Sequence, residues 1–232
     1  MSSLQDVVSC WPRVACALGF FFINNKVIFM NRIAFFVDGF NLFHALDNNP
    51  LYHKYKWLDL TKLSNCFVTK KDKTENIYYF TALTTWSQSK MKKHKKYIKA
   101  LELNNVNVIY GEFRKKDKFC PLCKRTYKTF EEKQTDVNIA IQLFELAIKD
   151  KYDTAIIVSG DSDLIPSIQA VKTTFPNKSI GIVIPIGRRA ELLKQTCDFH
   201  IKMKEKHLRS SLFEKEIDIG NNKKLICPPD WN

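Results

Sequence analysis

Apolar residues fall into short runs separated by polar turns, and these runs alternate with segments of helical spacing. Ala155 to Val158 is short and rich in β-branched residues, the pattern of a strand buried on both faces of a parallel sheet. Arg32-Ile-Ala-Phe-Phe-Val37 reads the same way, and further strands are expected over Ile77 to Leu83, Val106 to Tyr110 and Ser179 to Ile184. Helical spacing predicts helices over Trp57 to Leu63, Gln88 to Leu103 and Arg188 to Gln195. It also predicts an amphipathic helix on Val137, Ile141, Phe144 and Ile148, with Thr135 as its cap. The whole reads as one α/β domain, and 232 residues suit one such domain with extensions better than two.

The strands end in acids. Ser159-Gly160 supplies a turn after Val158, and Asp161 and Asp163 then stand at the carboxyl edge of the strand, where open α/β sheets bind ligands. Asp38-Gly39-Phe40-Asn41 repeats the arrangement after Val37, and Asp136 falls in the first turn of the helix that follows Glu131-Glu-Lys-Gln-Thr. Neighbouring carboxylates ionise cheaply only beside a positive charge, and an all-oxygen set suits Mg²⁺ or Mn²⁺ better than zinc. Helix capping and the helix dipole explain the same residues without a metal, and each motif taken alone leaves both readings open. Three acids on three separate elements tilt the reading towards a shared site on phosphates.

Charge extends that picture. The chain has 37 Lys and Arg against 24 Asp and Glu, a formal charge of +13 that would attract a polyanion. Lys92, Lys95 and Lys96, with Lys90, Lys93 and Lys99, stud the Gln88 to Leu103 helix and suit a phosphate backbone, although a lysine-rich face is commonly just solvated. Arg188-Arg189 suits phosphate or plain surface charge equally. Residues 111–133 form a basic insert in which Arg114 and the aromatic residues can stack on unpaired bases. The insert also reads as a metal-closing knuckle or a plain surface hairpin with two reduced thiols.

Seven scattered cysteines, Cys10, Cys16, Cys66, Cys120, Cys123, Cys197 and Cys227, are unlike a disulfide framework and point to a reducing cytoplasm. Cys120-Pro-Leu-Cys123 has the spacing of half a Zn²⁺ site without an obvious second pair. Residues 1–30 form an extension: Val14 to Ile23 has the apolarity of a signal-peptide core, but Asn24-Asn25-Lys26 interrupts it before it could span a bilayer. Translation starting at Met30, or a flexible leader, is expected, without stable membrane association. Residues 203–232 read as a tail packed on the domain, and homodimerisation is left open.

Phe36-Val-Asp-Gly-Phe-Asn41, Glu132-Lys-Gln-Thr-Asp-Val-Asn-Ile-Ala140 and Tyr152 to Pro166 resemble, in order, the three blocks of NYN domains, LabA-like branch, over about residues 31–202. The resemblance implies a PIN-like, Rossmann-like α/β/α sandwich with a central, mainly parallel sheet, and a divalent-metal ribonuclease site. It places the metal-binding acids on Asp38, Asp136 and Asp161, with Asp163 as a fourth acid. Asn41 would orient water or phosphate, and Ser159 would lie beside them in the turn. The Cys120 and Cys123 pair is similar to one found before the Glu-Lys block in bacterial relatives. The expected function is therefore a metal-dependent endoribonuclease on single-stranded or looped RNA. Substrate contacts are expected from Ser159, Lys92, Lys95, Lys96, Arg114 and Arg188. A non-catalytic RNA-binding or regulatory module is the alternative, and a hydrolase of small phosphoesters a weaker one.

Overall fold

The structure, a computed structural model, describes residues 20–23 and 26–231. The expectations for residues 1–19 and 24–25, including the start of the apolar run, Cys10 and Cys16, lie outside the described residues. Strands β1 (Phe20–Ile23) and β2 (Lys26–Phe29) pair as an antiparallel hairpin. The domain is built on β3 (Asn31–Asp38), β4 (Asp72–Thr81), β5 (Val106–Tyr110), β8 (Thr154–Val158), β9 (Ser179–Ile184) and β10 (Phe199–Lys202). Two further strands, β6 (Glu112–Phe119) and β7 (Thr126–Lys133), form a separate antiparallel hairpin.

The six domain strands form one parallel sheet in the order β10-β9-β8-β3-β4-β5. Alternation within β3 builds both faces: Phe35 and Val37 enter one core while Ala34 and Phe36 enter the other. On the first face lie α1 (Gly39–Asp47), α2 (Leu60–Asn65) and α3 (Gln88–Leu103), contributing Leu42, Leu63, Tyr97 and Leu101. The second face is covered by α4 (Thr135–Ile148), α5 (Ile165–Thr174) and α6 (Glu191–Thr196), through Ile139, Leu143, Ile168 and Leu193. This is an α/β/α sandwich with its sheet buried on both sides.

Chain order fixes the place of the site. From β3 the chain moves outward through β4 and β5, then returns to lay β8 on the other side of β3 and moves outward again through β9 and β10. The direction reverses between β3 and β8, and at such a switch point the crossovers part and leave a crevice at the carboxyl edge.

Several sequence expectations shift. The α2 helix begins at Leu60 because Asp59 accepts hydrogen bonds from the N–H groups of Thr61 (2.9 Å) and Lys62 (3.1 Å). The last predicted helix begins only at Glu191, leaving Arg188 and Arg189 in the preceding turn. On α4 the predicted stripe is the wrong one: Val137, Ile141 and Ile148 are exposed, whereas Ile139, Leu143, Leu146 and Ala147 are buried. Apolar residues surround this helix, so spacing alone could not choose the buried face. Nor does Thr135 cap it. Gln134 takes the cap position at φ 77°, and the Glu132 carboxylate instead accepts the Thr135 N–H at 3.1 Å.

The C-terminal residues are part of the fold. Met203, Leu208, Phe213, Leu225 and Cys227 enter the first core, and Trp57 donates its indole N–H to the Glu214 carbonyl at 2.9 Å. Here α7 (Glu205–Arg209) precedes a small hairpin of β11 (Glu216–Asp218) and β12 (Lys224–Ile226). Among the described residues no helix is long and apolar enough to cross a membrane.

Candidate active site

Asp38 is the last residue of β3 and the N-cap of α1, and it is 4 % exposed. One carboxylate oxygen accepts the Asn41 N–H at 2.9 Å; the other accepts the Ser159 hydroxyl at 2.8 Å. Gly39 makes the tight passage into α1 feasible. A Cβ there would lie 2.6 Å from the Phe80 carbonyl oxygen and 2.7 Å from the Tyr79 ring, so the strand and helix approach too closely for a side chain.

The turn after β8 is tied to the same place. Ser159 is fully buried, and its oxygen also accepts the Asp161 N–H at 3.0 Å. The Asn41 side-chain carbonyl accepts the Gly160 N–H at 3.0 Å. Asp161 then caps the short 3₁₀ turn Ser162–Leu164 by accepting the Asp163 N–H at 3.0 Å. The capping reading of this turn is thus realised, and the charge of Asp161 also acts on Asp38.

Electrostatics bring in α4 and β7. Burial pushes the Asp38 carboxyl up to about 6 against the lowering effect of its two hydrogen bonds, with the charges of Asp161 and Glu132 adding to the rise. Asp136 is also pushed up to about 6, first by burial and then by the charges of Asp38, Asp161, Glu132 and Asp163. Glu132 is therefore a fifth acid of the cluster. Its sequence signal was its place in the Glu-Lys block, but its role as the cap of α4 is a tertiary detail.

The expected basic residues are dispersed. Arg188 lies against the turn: a Cβ on Gly160 would sit 3.3 Å from the Arg188 Cβ, and the Arg188 Nε is buried without a hydrogen-bond partner. Arg114 is exposed on β6 and bonds Glu112 at 2.6 Å. Lys92 and Lys96 line a groove with Pro228 and Pro229 of the C-terminal segment, and Lys95 is exposed on the same helix. Two other lysines of this helix, Lys90 and Lys93, line the cavity described next.

A cavity of about 820 Å³, which the sequence did not suggest, opens beside the acid cluster between α1, α3 and the base of the β6–β7 hairpin. Phe40, Phe43, Trp86, Phe113 and Phe130 line it, and Glu132 stands where it meets the acids. Trp86 stacks on Phe130 at 3.9 Å between ring centroids, and Phe113 packs edge-on against both Trp86 and Phe40. These contacts join the hairpin base to α1 directly after Asp38. In the wall, Thr84 has a buried hydroxyl without a partner, and His94 bonds Thr81 at 3.1 Å while burial lowers its pKa to about 4, leaving it neutral.

The acids fit a hard divalent cation by donor chemistry: oxygen ligands only, mutually repelling, on separate elements. Among the described residues no three His, Cys, Asp or Glu side chains converge closely enough to grip an ion, at the acids or at Cys120 and Cys123.

The comparisons with known proteins agree with this architecture. The chain is 28 % identical over 240 residues to 6-hydroxy-3-succinoylpyridine 3-monooxygenase HspA of Pseudomonas putida, covering 86 % of this chain and 75 % of that protein. It shares its fold with VPA0982 of Vibrio parahaemolyticus, a protein of unknown function. The TM-score is 0.55 at 15 % identity, over 79 % of this chain and 97 % of the other. The NYN domain model, which describes a nuclease-like fold, matches residues 32–204. With most of its length inside that match, the chain belongs to the NYN domain family.

Proposed function

We propose that the chain is a metal-dependent endoribonuclease acting through Asp38, Asp136, Asp161 and Asp163, with Glu132 as an additional acid. The observation that carries this reading is that acids from three separate elements stand at the switch point of the sheet within electrostatic reach of one another, two of them pushed up to about 6 by burial and mutual repulsion. Structural acids are normally paired with cations; unpaired acids gathered in a crevice are costly and mark a ligand site. Membership of a nuclease-like family gives the ligand its class.

When bound, Mg²⁺ or Mn²⁺ would activate water and neutralise charge on the scissile phosphate. The protein groups divide the remaining work. Asp38 is the fixed anchor, immobilised by Asn41 and Ser159, so Ser159 is a positioning residue with no access to substrate. Asp136 and Asp161, on separate elements, would hold the cation together with Asp38. Asp163 is exposed at the rim and positions the attacking water. Arg188, whose Cβ lies against Gly160 and whose Nε has no partner, donates to a phosphate oxygen as the charge there grows. Lysines of α3 steer the strand, and exposed aromatic rings such as Trp86 favour unpaired bases.

Purified protein incubated with labelled, partly structured RNA should cleave it only with Mg²⁺ or Mn²⁺, and Asp161→Asn should not. Binding without cleavage at any metal concentration would instead establish a non-catalytic RNA-binding module. The aromatic cavity, together with the name of the Pseudomonas relative, favours a second reading: oxygenation of a small aromatic compound. Oxygen consumption with 6-hydroxy-3-succinoylpyridine and an added reductant, in the absence of RNA cleavage, would replace the first reading by the second.

A further inference from the structure

We propose that Cys120 and Cys123, at the tip of the β6–β7 hairpin, are half of a tetrahedral zinc site that two copies of this chain complete by joining their tips. This inference is independent of the reading of the acid cluster.

The turn is shaped for it. Cys120 donates its backbone N–H to the Arg125 carbonyl at 2.9 Å, closing a tight reversal in which Lys124 takes φ 53°. The reversal brings the two cysteines of the Cys-x-x-Cys spacing to the hairpin tip, the arrangement in which thiolates share one metal. Both cysteines are free.

The surroundings favour a negatively charged centre. From Phe113 to Tyr127 the hairpin carries Arg114, Lys115, Lys116, Lys118, Lys124 and Arg125 against Asp117 alone. Four thiolates around Zn²⁺ leave two net negative charges, which these cations offset. Without metal, two such tips repel each other, so association depends on zinc.

A structural zinc site needs four ligands, and this hairpin supplies two. Among the described residues no His, Cys, Asp or Glu completes a group of three. Glu131, near the hairpin base, is held by Lys116 and Lys133. A two-fold axis through the metal doubles the pair without any further residue. The tip also offers a surface to cover: Leu122 is 94 % exposed between the thiols, and Phe119 and Tyr127 flank it in the open.

Full-length protein stripped of metal and titrated with zinc should pass from monomer to dimer in light scattering, saturating at one zinc per two chains. Cobalt in its place should give the intense sulfur-to-metal charge-transfer band of a tetrahedral thiolate site. Cys120→Ser with Cys123→Ser should lose the band and the dimer while keeping its melting temperature, since the tip is exposed. One zinc bound per monomer, a dimer that survives in the double variant, or loss of the band in Cys10→Ser with Cys16→Ser would each overturn the proposal. So would the absence of zinc binding at micromolar concentrations.

Discussion

The two ends of the strand pair β3 and β8 carry acids in opposite circumstances. At the amino edge Arg32 bonds Asp153 at 2.6 Å and Asp150 at 3.0 Å, and Lys178 bonds Asp150 at 2.7 Å. Burial acts to raise the Asp153 carboxyl, but the side-chain and backbone hydrogen bonds from Arg32 outweigh it and hold it below the usual range. The Lys178 hydrogen bond does the same for Asp150, joined by that from Arg32. At the carboxyl edge Asp38 is buried and Asp136 half-buried near other acids, no ion pair relieves them among the described residues, and their carboxyls rise to about 6. One end of the same two strands is arranged for stability; the other stores repulsion that a bound cation would release.

The largest expected effect separates the ends by activity. Asp38→Asn or Asp161→Asn should reduce metal-dependent RNA cleavage by at least about 100-fold in single-turnover assays, without loss of RNA binding. Arg32→Ala should leave cleavage per folded molecule unchanged but cost about 1–2 kcal/mol in urea unfolding, a figure reduced for the partial exposure of the pair. Equal damage to activity from both sites would break the comparison. Asp136→Asn should stabilise the metal-free protein at neutral pH by on the order of 1 kcal/mol after allowance for solvent screening. A destabilised variant would mean that Asp136 is structural.

The pH dependence carries the smallest effect and the clearest sign. Asp38 and Asp136 have folded-state values of about 6 against an ordinary 3.8, so the protonated forms are favoured by folding. Their contribution is complete below 3.8 and is lost as pH rises through about 6. Asp150 and Asp153 are held low, so their contribution is present above 3.8 and lost as the solution is acidified below it. Urea midpoints of metal-free protein should therefore fall between those two values as pH increases, and Asp136→Asn should flatten the fall. A midpoint rising across that window in both proteins would contradict the arrangement.

What the sequence made legible was local. Each strand of the parallel sheet is a short apolar run, and Asp38 and Asp161 follow such runs directly, so their place at the carboxyl edge could be read from order alone. Gln88–Leu103 and Val106–Tyr110 have the bounds expected of them. What depended on tertiary contact was hidden. The α4 helix is apolar on every side, so its buried face is chosen by β3 and α5 rather than by its own spacing. Glu132 looked like one charge in a charged block until the fold put it beside Asp38. Ser159 seemed available to substrate, but its burial and two hydrogen bonds make it a brace between the acids. The aromatic cavity draws on residues from Phe40 to Phe130, which no local window contains.

Ser159 and Asp38 touch across 121 positions of the chain. During synthesis Asp38 leaves the ribosome long before β8, which must lie beside it, has been made, and Asp136 and Asp161 follow 98 and 123 positions after it. A chain made only through Asp136 therefore lacks the complete acid cluster. Under the proposed ribonuclease reading, threading the site across distant segments would withhold activity from the nascent chain until synthesis had passed Asp161.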